Sequence, residues 1–123
     1  LQTLKLEGNQ LIEFPIELLS LSKLNGVYLA NNKIKNIPEG TPAMVNLIEL
    51  SLENNQVASI SPDLSKCPRL KTVKLSNNKL KFTNIPENLF VDSIFQLFSL
   101  DGNAVEQKSL RDLPGYTEVR CRN

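Results

Sequence analysis

An eleven-residue frame, L-x-x-L-x-L-x-x-N-x-L with aliphatic or aromatic substitutes, returns five times along the chain and constrains its fold more than any other feature. It reads Leu1-x-x-Leu4-x-Leu6-x-x-Asn9-x-Leu11, then Leu24, Val27, Leu29, Asn32 and Ile34, then Leu47, Leu50, Leu52, Asn55 and Val57. The fourth copy is Leu70, Val73, Leu75, Asn78 and Leu80, and the fifth is Phe95, Phe98, Leu100, Asn103 and Val105. The starts at 1, 24, 47, 70 and 95 are separated by 23 residues three times and by 25 once. A fixed period of this length marks supersecondary units that cannot bury their own apolar faces and must stack, each covering the next. A chain of 123 residues is then one solenoid domain, spanning 1–123 with a cap over 104–123.

Within each copy the run before the asparagine alternates apolar and polar, the period-two pattern of a short strand with one buried face. Five parallel strands are expected on a concave face, with Leu4, Leu6, Val27, Leu29, Leu50, Leu52, Val73, Leu75, Phe98 and Leu100 pointing inward. Leu11, Ile34, Val57, Leu80 and Val105 close the turns beneath them. The asparagine column is polar at a position that the geometry buries, so each amide must bond the backbone of the turning chain or leave groups unpaired at about 1–3 kcal/mol.

The return segments carry Phe14-Pro15, Ile37-Pro38, Ile60-Ser61-Pro62 and Ile85-Pro86, where the ring fixes φ and ends the extended run. Beyond the prolines, Leu18 and Leu21 match Thr41 and Met44 and then Leu64 and Cys67, a spacing that predicts short helical turns packed inward on the convex side. Cys67 thereby reads as a small core hydrophobe. In the fourth copy Lys81-Phe82-Thr83 adds two residues, and Asn88 to Ile94 predicts a fuller helix; Phe82, Leu89, Phe90 and Ile94 point to a local packing adjustment ahead of a binding insert. Glu106 to Leu113 reads as a short helix stopped by Pro114-Gly115, a cap in which Leu110, Leu113, Tyr116 and Val119 cover the end of the core.

Fourteen basic and thirteen acidic residues nearly cancel, so no long-range field draws nucleic acid or another polyanion. The chain has no histidine, which removes Ser-His-Asp, Cys-His and His-dependent zinc arrangements, and no Gly-rich phosphate loop follows a strand. Catalysis, cofactor and metal are not expected. Two cysteines, Cys67 and Cys121, without a clustered pair, and the lack of an N-x-S/T acceptor fit a reduced, cytoplasmic protein. No apolar run of 18 residues is present to span a membrane. The chain opens inside a strand, so further repeats or a cap are expected before it.

The outward positions of the concave face follow from the frame: Thr3, Lys5 and Glu7; Gly26, Tyr28 and Ala30; Glu49, Ser51 and Glu53; Thr72, Lys74 and Ser76; Leu97, Ser99 and Asp101. Among them Lys5, Glu7, Tyr28, Glu49, Ser51, Glu53, Lys74, Ser99 and Asp101 are the candidate protein-binding residues. Tyr28, between the small Gly26 and Ala30, is expected to stand clear with Glu49 and Glu53 beside it; it reads either as an interface anchor or as a shield for its neighbours. The function expected is a non-catalytic protein-binding scaffold. Alternatives are a regulatory subunit or effector of an intracellular enzyme such as a phosphatase or small GTPase, and an architectural segment with no dedicated ligand.

The frame, with proline four residues after its last apolar position in the first two copies, resembles the intracellular leucine-rich-repeat group related to Ras-suppressor proteins: an α/β solenoid with parallel strands on the concave face and short helical or irregular convex segments. A closer resemblance rests on Ile48-Glu49-Leu50, Ile60-Ser61, Cys67-Pro68-Arg69-Leu70-Lys71, Asp92-Ser93, Asp101-Gly102-Asn103 and Lys108-x-Leu110-Arg111-x-Leu113-x-Gly115-Tyr116. These residues, over roughly 47–119, look like the small intracellular family of leucine-rich repeat-containing protein fifty-seven. That resemblance implies a lipid anchor upstream of residue 1 and peripheral attachment at membranes. It implies no catalytic residue.

Overall fold

The computed structural model describes residues 2–87, 89–91, 93–105 and 113–116. Five three-residue strands form one parallel sheet: β1 (Thr3–Lys5), β2 (Gly26–Tyr28), β4 (Glu49–Ser51), β6 (Thr72–Lys74) and β7 (Leu97–Ser99). A second parallel pair, β3 (Asn36–Ile37) with β5 (Ser59–Ile60), lies on the return path. The expected concave sheet is present; the second pair was not anticipated, because two residues are too few to show an alternating pattern. The convex turns are 3-10 helices at Ile16–Ser20, Thr41–Ala43, Pro62–Lys66 and Phe82–Asn84. Tight single turns suit a solenoid whose repeats stack at the strand spacing of about 4.8 Å, half an α-helix's width.

The register is regular. Leu4, Val27, Leu50, Val73 and Phe98 stand side by side in the sheet, and from Leu24 to Leu80 every frame apolar is sealed from solvent. The first repeat departs from this. Leu4, Leu6 and Leu11 are only partly buried, and Leu21, expected to pack inward, is 42% exposed where its counterparts Met44 and Cys67 are 0% and 2%. The cause is stacking: a middle repeat is covered on both sides, whereas nothing described lies in front of the first.

The asparagines hold successive repeats together. Asn55 Nδ2 donates to the carbonyls of Leu52, in its own repeat, at 3.0 Å and Leu29, in the preceding one, at 2.9 Å, while its Oδ1 accepts from the Ile34 amide at 3.0 Å. Asn32, Asn78 and Asn103 repeat the arrangement toward Leu6 and Leu11, Leu52 and Val57, and Leu75 and Leu80. Asn32, Asn55 and Asn78 are buried. Asn9 is exposed, against expectation, and bonds only the Leu6 and Glu7 carbonyls of its own repeat. Just before each ladder asparagine the backbone is left-handed: Gly8, Asn31, Asn54, Asn77 and Gly102 have φ between +58° and +76°. Only Gly and Asn enter this region at little cost, and the dipeptides Gly-Asn and Asn-Asn are its sequence signature.

The fourth-repeat insert packs, but the fuller helix expected over 88–94 is not seen in its described residues 89–91 and 93–94. Residues 89–91 are turns; Leu89 and Phe90 are buried, while Phe82 and Ile94 are 37% and 43% exposed. Phe90 centres an aromatic cluster, edge-on to Phe98 at 4.9 Å, Tyr116 at 5.3 Å and Phe95 at 6.4 Å. Leu113 and Tyr116 are buried as expected. The expected helix over 106–113 falls, apart from Leu113, outside the described residues, as do Leu110, Val119 and Cys121.

Candidate functional site

Parallel registration turns the outward positions into three rows across the concave face. Thr3, Gly26, Glu49, Thr72 and Leu97 make the first, and Lys5, Tyr28, Ser51, Lys74 and Ser99 the second. The third is Glu7, Ala30, Glu53, Ser76 and Asp101, joined through backbone bonds from Gly8 to Ala30, Asn31 to Glu53, Asn54 to Ser76 and Asn77 to Asp101 at 2.9–3.1 Å. Cross-strand neighbours in such rows are close enough to interact directly.

Four of the candidate residues form a connected chain over four strands. Lys5 Nζ lies 5.8 Å from the centre of the Tyr28 ring, a cation–π contact. The Tyr28 hydroxyl donates to Glu49 Oε1 at 3.1 Å, and Glu49 Oε2 pairs with Lys74 Nζ at 3.4 Å. Burial first, then the hydrogen bond with Glu49 and the charges of Glu49 and Glu7, push the Tyr28 phenol above its ordinary value. It therefore stays a neutral donor across the physiological range.

The sequence expectation for Tyr28 needs one correction. Its ring does not stand clear but folds back along the strand over Gly26, where a Cβ would sit 3.0 Å from Cε2 and 3.3 Å from the hydroxyl. Gly26 is small so that the ring can lie down against Glu49. Ser51 shares the outward face but is buried there, since it sits in the register between the two long side chains of Tyr28 and Lys74. It donates a hydrogen bond to Glu53. Asp101 Oδ1 accepts from Ser76 at 2.7 Å, Ser99 is half-buried, and Glu7 is exposed. Thus Lys5, Tyr28, Glu49 and Lys74 are brought together, Ser51 with Glu53 forms a separate pair, Glu7 reaches the chain only through its charge on Tyr28, and Ser99 and Asp101 stand apart.

Cys67 lies in the core as its position in the frame predicts, a free thiol held above its usual pKa by burial, with the Thr41 hydroxyl pulling the other way and the charge of Asp63 adding to the rise. Thr41 Oγ1 is itself sealed in and makes no hydrogen bond of ordinary geometry. Among the described residues no three His, Cys, Asp or Glu side chains converge to hold a metal ion, and no helix is long and apolar enough to cross a membrane.

Comparison with known proteins agrees with this geometry. Residues 45–89 match the family model described as leucine-rich repeats in two copies. No curated protein matches the sequence. Among solved structures, a leucine-rich-repeat protein of Leptospira interrogans is 25% identical, with a TM-score of 0.74 over 99% of this chain and 36% of its own. The octameric complex of Latrophilin 3, Unc5D and the leucine-rich-repeat portion of FLRT2 contains a chain 26% identical, with a TM-score of 0.73 over 85% of this chain and 32% of that one. The leucine-rich-repeat ectodomain of the receptor kinase SOBIR1 from Arabidopsis thaliana is 27% identical, with a TM-score of 0.67 over 85% of this chain and 58% of its own. The chain spans about a third of the first two.

Proposed function

We propose, with the leucine-rich-repeat solenoid as premise, that this chain is a non-catalytic protein-binding module whose concave face docks a partner around Tyr28. The observation that carries the reading is the chain from Lys5 through Tyr28 and Glu49 to Lys74. A tyrosine already held by a cation, a carboxylate and the bare backbone of Gly26 loses little rotamer freedom when a partner covers it, and large contact area at low entropic cost is what an interface anchor supplies. The FLRT2 neighbour, found in a complex with Latrophilin 3 and Unc5D, supports the same class of role. Five strands at about 4.8 Å with about 17 Å of strand length give a footprint of roughly 400 Å², half of the approximately 800 Å² per partner of a standard interface. The concave contact is thus weak alone or joined by other surface. We further propose cytoplasmic residence, supported by the two unclustered cysteines, and kinship with the small intracellular family named above, supported by the motifs over 47–119 and most of all by that over Lys108 to Tyr116.

Recovery of bound proteins from cytosol, compared between wild type and a Tyr28→Ala, Glu53→Lys variant, tests the proposal. A partner present with wild type and lost with the variant is the expected result. Identical recoveries would favour an architectural segment with no ligand on this face.

A further inference from the structure

Where the strands begin, the solenoid presents an edge of a different character from its concave face. A groove of about 380 Å³ runs there, lined by Gln2, Lys23, Asn25, Asn46, Ile48 and Arg69. Lys23, Asn46 and Arg69 hold the same place in three successive repeats, immediately before Leu24, Leu47 and Leu70. Asn46 joins its neighbours: its Nδ2 donates to the Ser22 carbonyl at 2.9 Å, and its Oδ1 accepts from Arg69 Nη1 at 3.2 Å. Arg69 is thereby held toward the preceding repeat, and the lining carries two cations, Lys23 and Arg69, and no carboxylate. Lys71, bonded through its backbone amide to the Ile48 carbonyl at 2.9 Å, adds a third on the same edge. Glu49, the concave carboxylate next along from Ile48, is already engaged by Tyr28 and Lys74.

The chain's other lysine group differs. Lys33, Lys35, Lys79 and Lys81 follow the second and fourth strands, and they alternate along the solenoid with Glu7, Glu53 and Asp101 of the first, third and fifth repeats. They lie beyond the turns, away from the strand starts that line the groove, and the groove lining itself holds Lys23 and Arg69 with no Asp or Glu. Ile48 and Val45, 42% and 45% exposed, add apolar surface to the basic edge.

We propose that this groove docks an acidic segment of a partner protein, its carboxylates on Lys23, Arg69 and Lys71 and an aliphatic side chain on Ile48. Arginine offers a fork of donors that matches a carboxylate, and the carboxamides of Gln2 and Asn25 offer directional bonds to a peptide backbone. These directional groups favour a peptide over a fluid layer of lipid headgroups. The inference stands on a different surface from the concave site and does not depend on it.

The test uses a fluorescein-labelled, end-blocked peptide, Glu-Leu-Glu-Glu-Leu-Glu, titrated by anisotropy at low and at physiological salt. Wild type is expected to bind, and a Lys23→Glu, Arg69→Glu double variant to lose about tenfold or more in affinity. A Lys33→Glu, Lys79→Glu variant, with the same change in net charge, is expected to stay within about twofold. Circular dichroism checks the fold of both, and Lys23→Gln with Arg69→Gln gives the same direction should charge reversal perturb it. No binding by wild type, or equal loss in the two double variants, overturns the proposal. So does binding only to phosphatidylserine-containing vesicles, which would make the edge a membrane surface. Loss of peptide binding in the Tyr28→Ala, Glu53→Lys variant would move the peptide to the concave face and overturn the groove, while leaving the concave reading intact.

Discussion

Asn55 shows how much one side chain holds in this architecture. Its amide ties the Leu29 and Leu52 carbonyls and the Ile34 amide in a place that water cannot reach. Asn55→Leu strands those groups and is expected to cost about 2–3 kcal/mol, where Asn9→Leu, exposed and bonded only within its own turn, costs less than about 0.5 kcal/mol. Equal urea midpoints for the two would remove the ladder's structural role. Tyr28 and Cys67 set the alkaline behaviour. Both hold their protons more tightly folded than unfolded, so their stabilisation is complete below the unfolded pKa values, about 8.5 for thiol and 10 for phenol, and is lost as pH rises through the folded values. Stability is expected to fall as pH rises above about 8.5, through the raised values of both groups. The Tyr28→Phe, Cys67→Ala pair, which lacks both groups, should show a flatter decline over that window in denaturant titrations, whatever its starting stability.

Among the elements, the insert and the C-terminal turn depend on each other. Gly115 has φ +81°, and a Cβ there would lie 2.6 Å from the Phe90 carbonyl carbon and oxygen, backbone that cannot step aside. The turn at Pro114-Gly115 is thus seated directly on the insert, with Tyr116 on the Phe90 ring beside it. Gly8, at φ +72°, meets nothing within 4 Å. Both positions suit glycine conformationally, but only one suits it sterically. Gly8→Ala is expected to cost about 1 kcal/mol from the left-handed backbone alone, and Gly115→Ala about 2–3 kcal/mol with loss of the Phe90–Tyr116 contact. Thermal melts measure the difference, and near-ultraviolet circular dichroism follows the aromatic cluster. Similar values for both would mean that the turn does not bear on the insert.

Over the whole molecule, stability in a stacked array is a sum of repeat and interface terms, so a repeat covered on one side opens first. Leu4, Leu6 and Leu11 are half-buried while Leu50, Leu52 and Val57 are sealed. In residues 1–123 taken alone, amide exchange is expected to be fastest along β1, with Leu6 exchanging well ahead of Leu29, Leu52 and Leu75, although all four amides make the same inter-repeat bond to the following strand. Uniform protection from the first strand to the fourth would show that the array unfolds as a single unit.

The five-fold frame determined the architecture by itself. A period of 23 residues with alternating apolar positions leaves stacked parallel strands as the way to bury Val27, Leu50 and Val73, and an asparagine at each turn leaves backbone bonding as its role. The polar candidates Lys5, Tyr28, Glu49 and Lys74 were legible for the same reason, because a period of two fixes which side of a strand faces out. Tertiary structure alone decided the rest. Tyr28 lies down on Gly26 because Glu49, 21 residues away, offers its hydroxyl a partner; Ser51 is hidden by neighbours on two other strands. Met44 is buried and Leu21 exposed at one and the same frame position, since what covers a residue in a solenoid belongs to the adjacent repeat and not to its own.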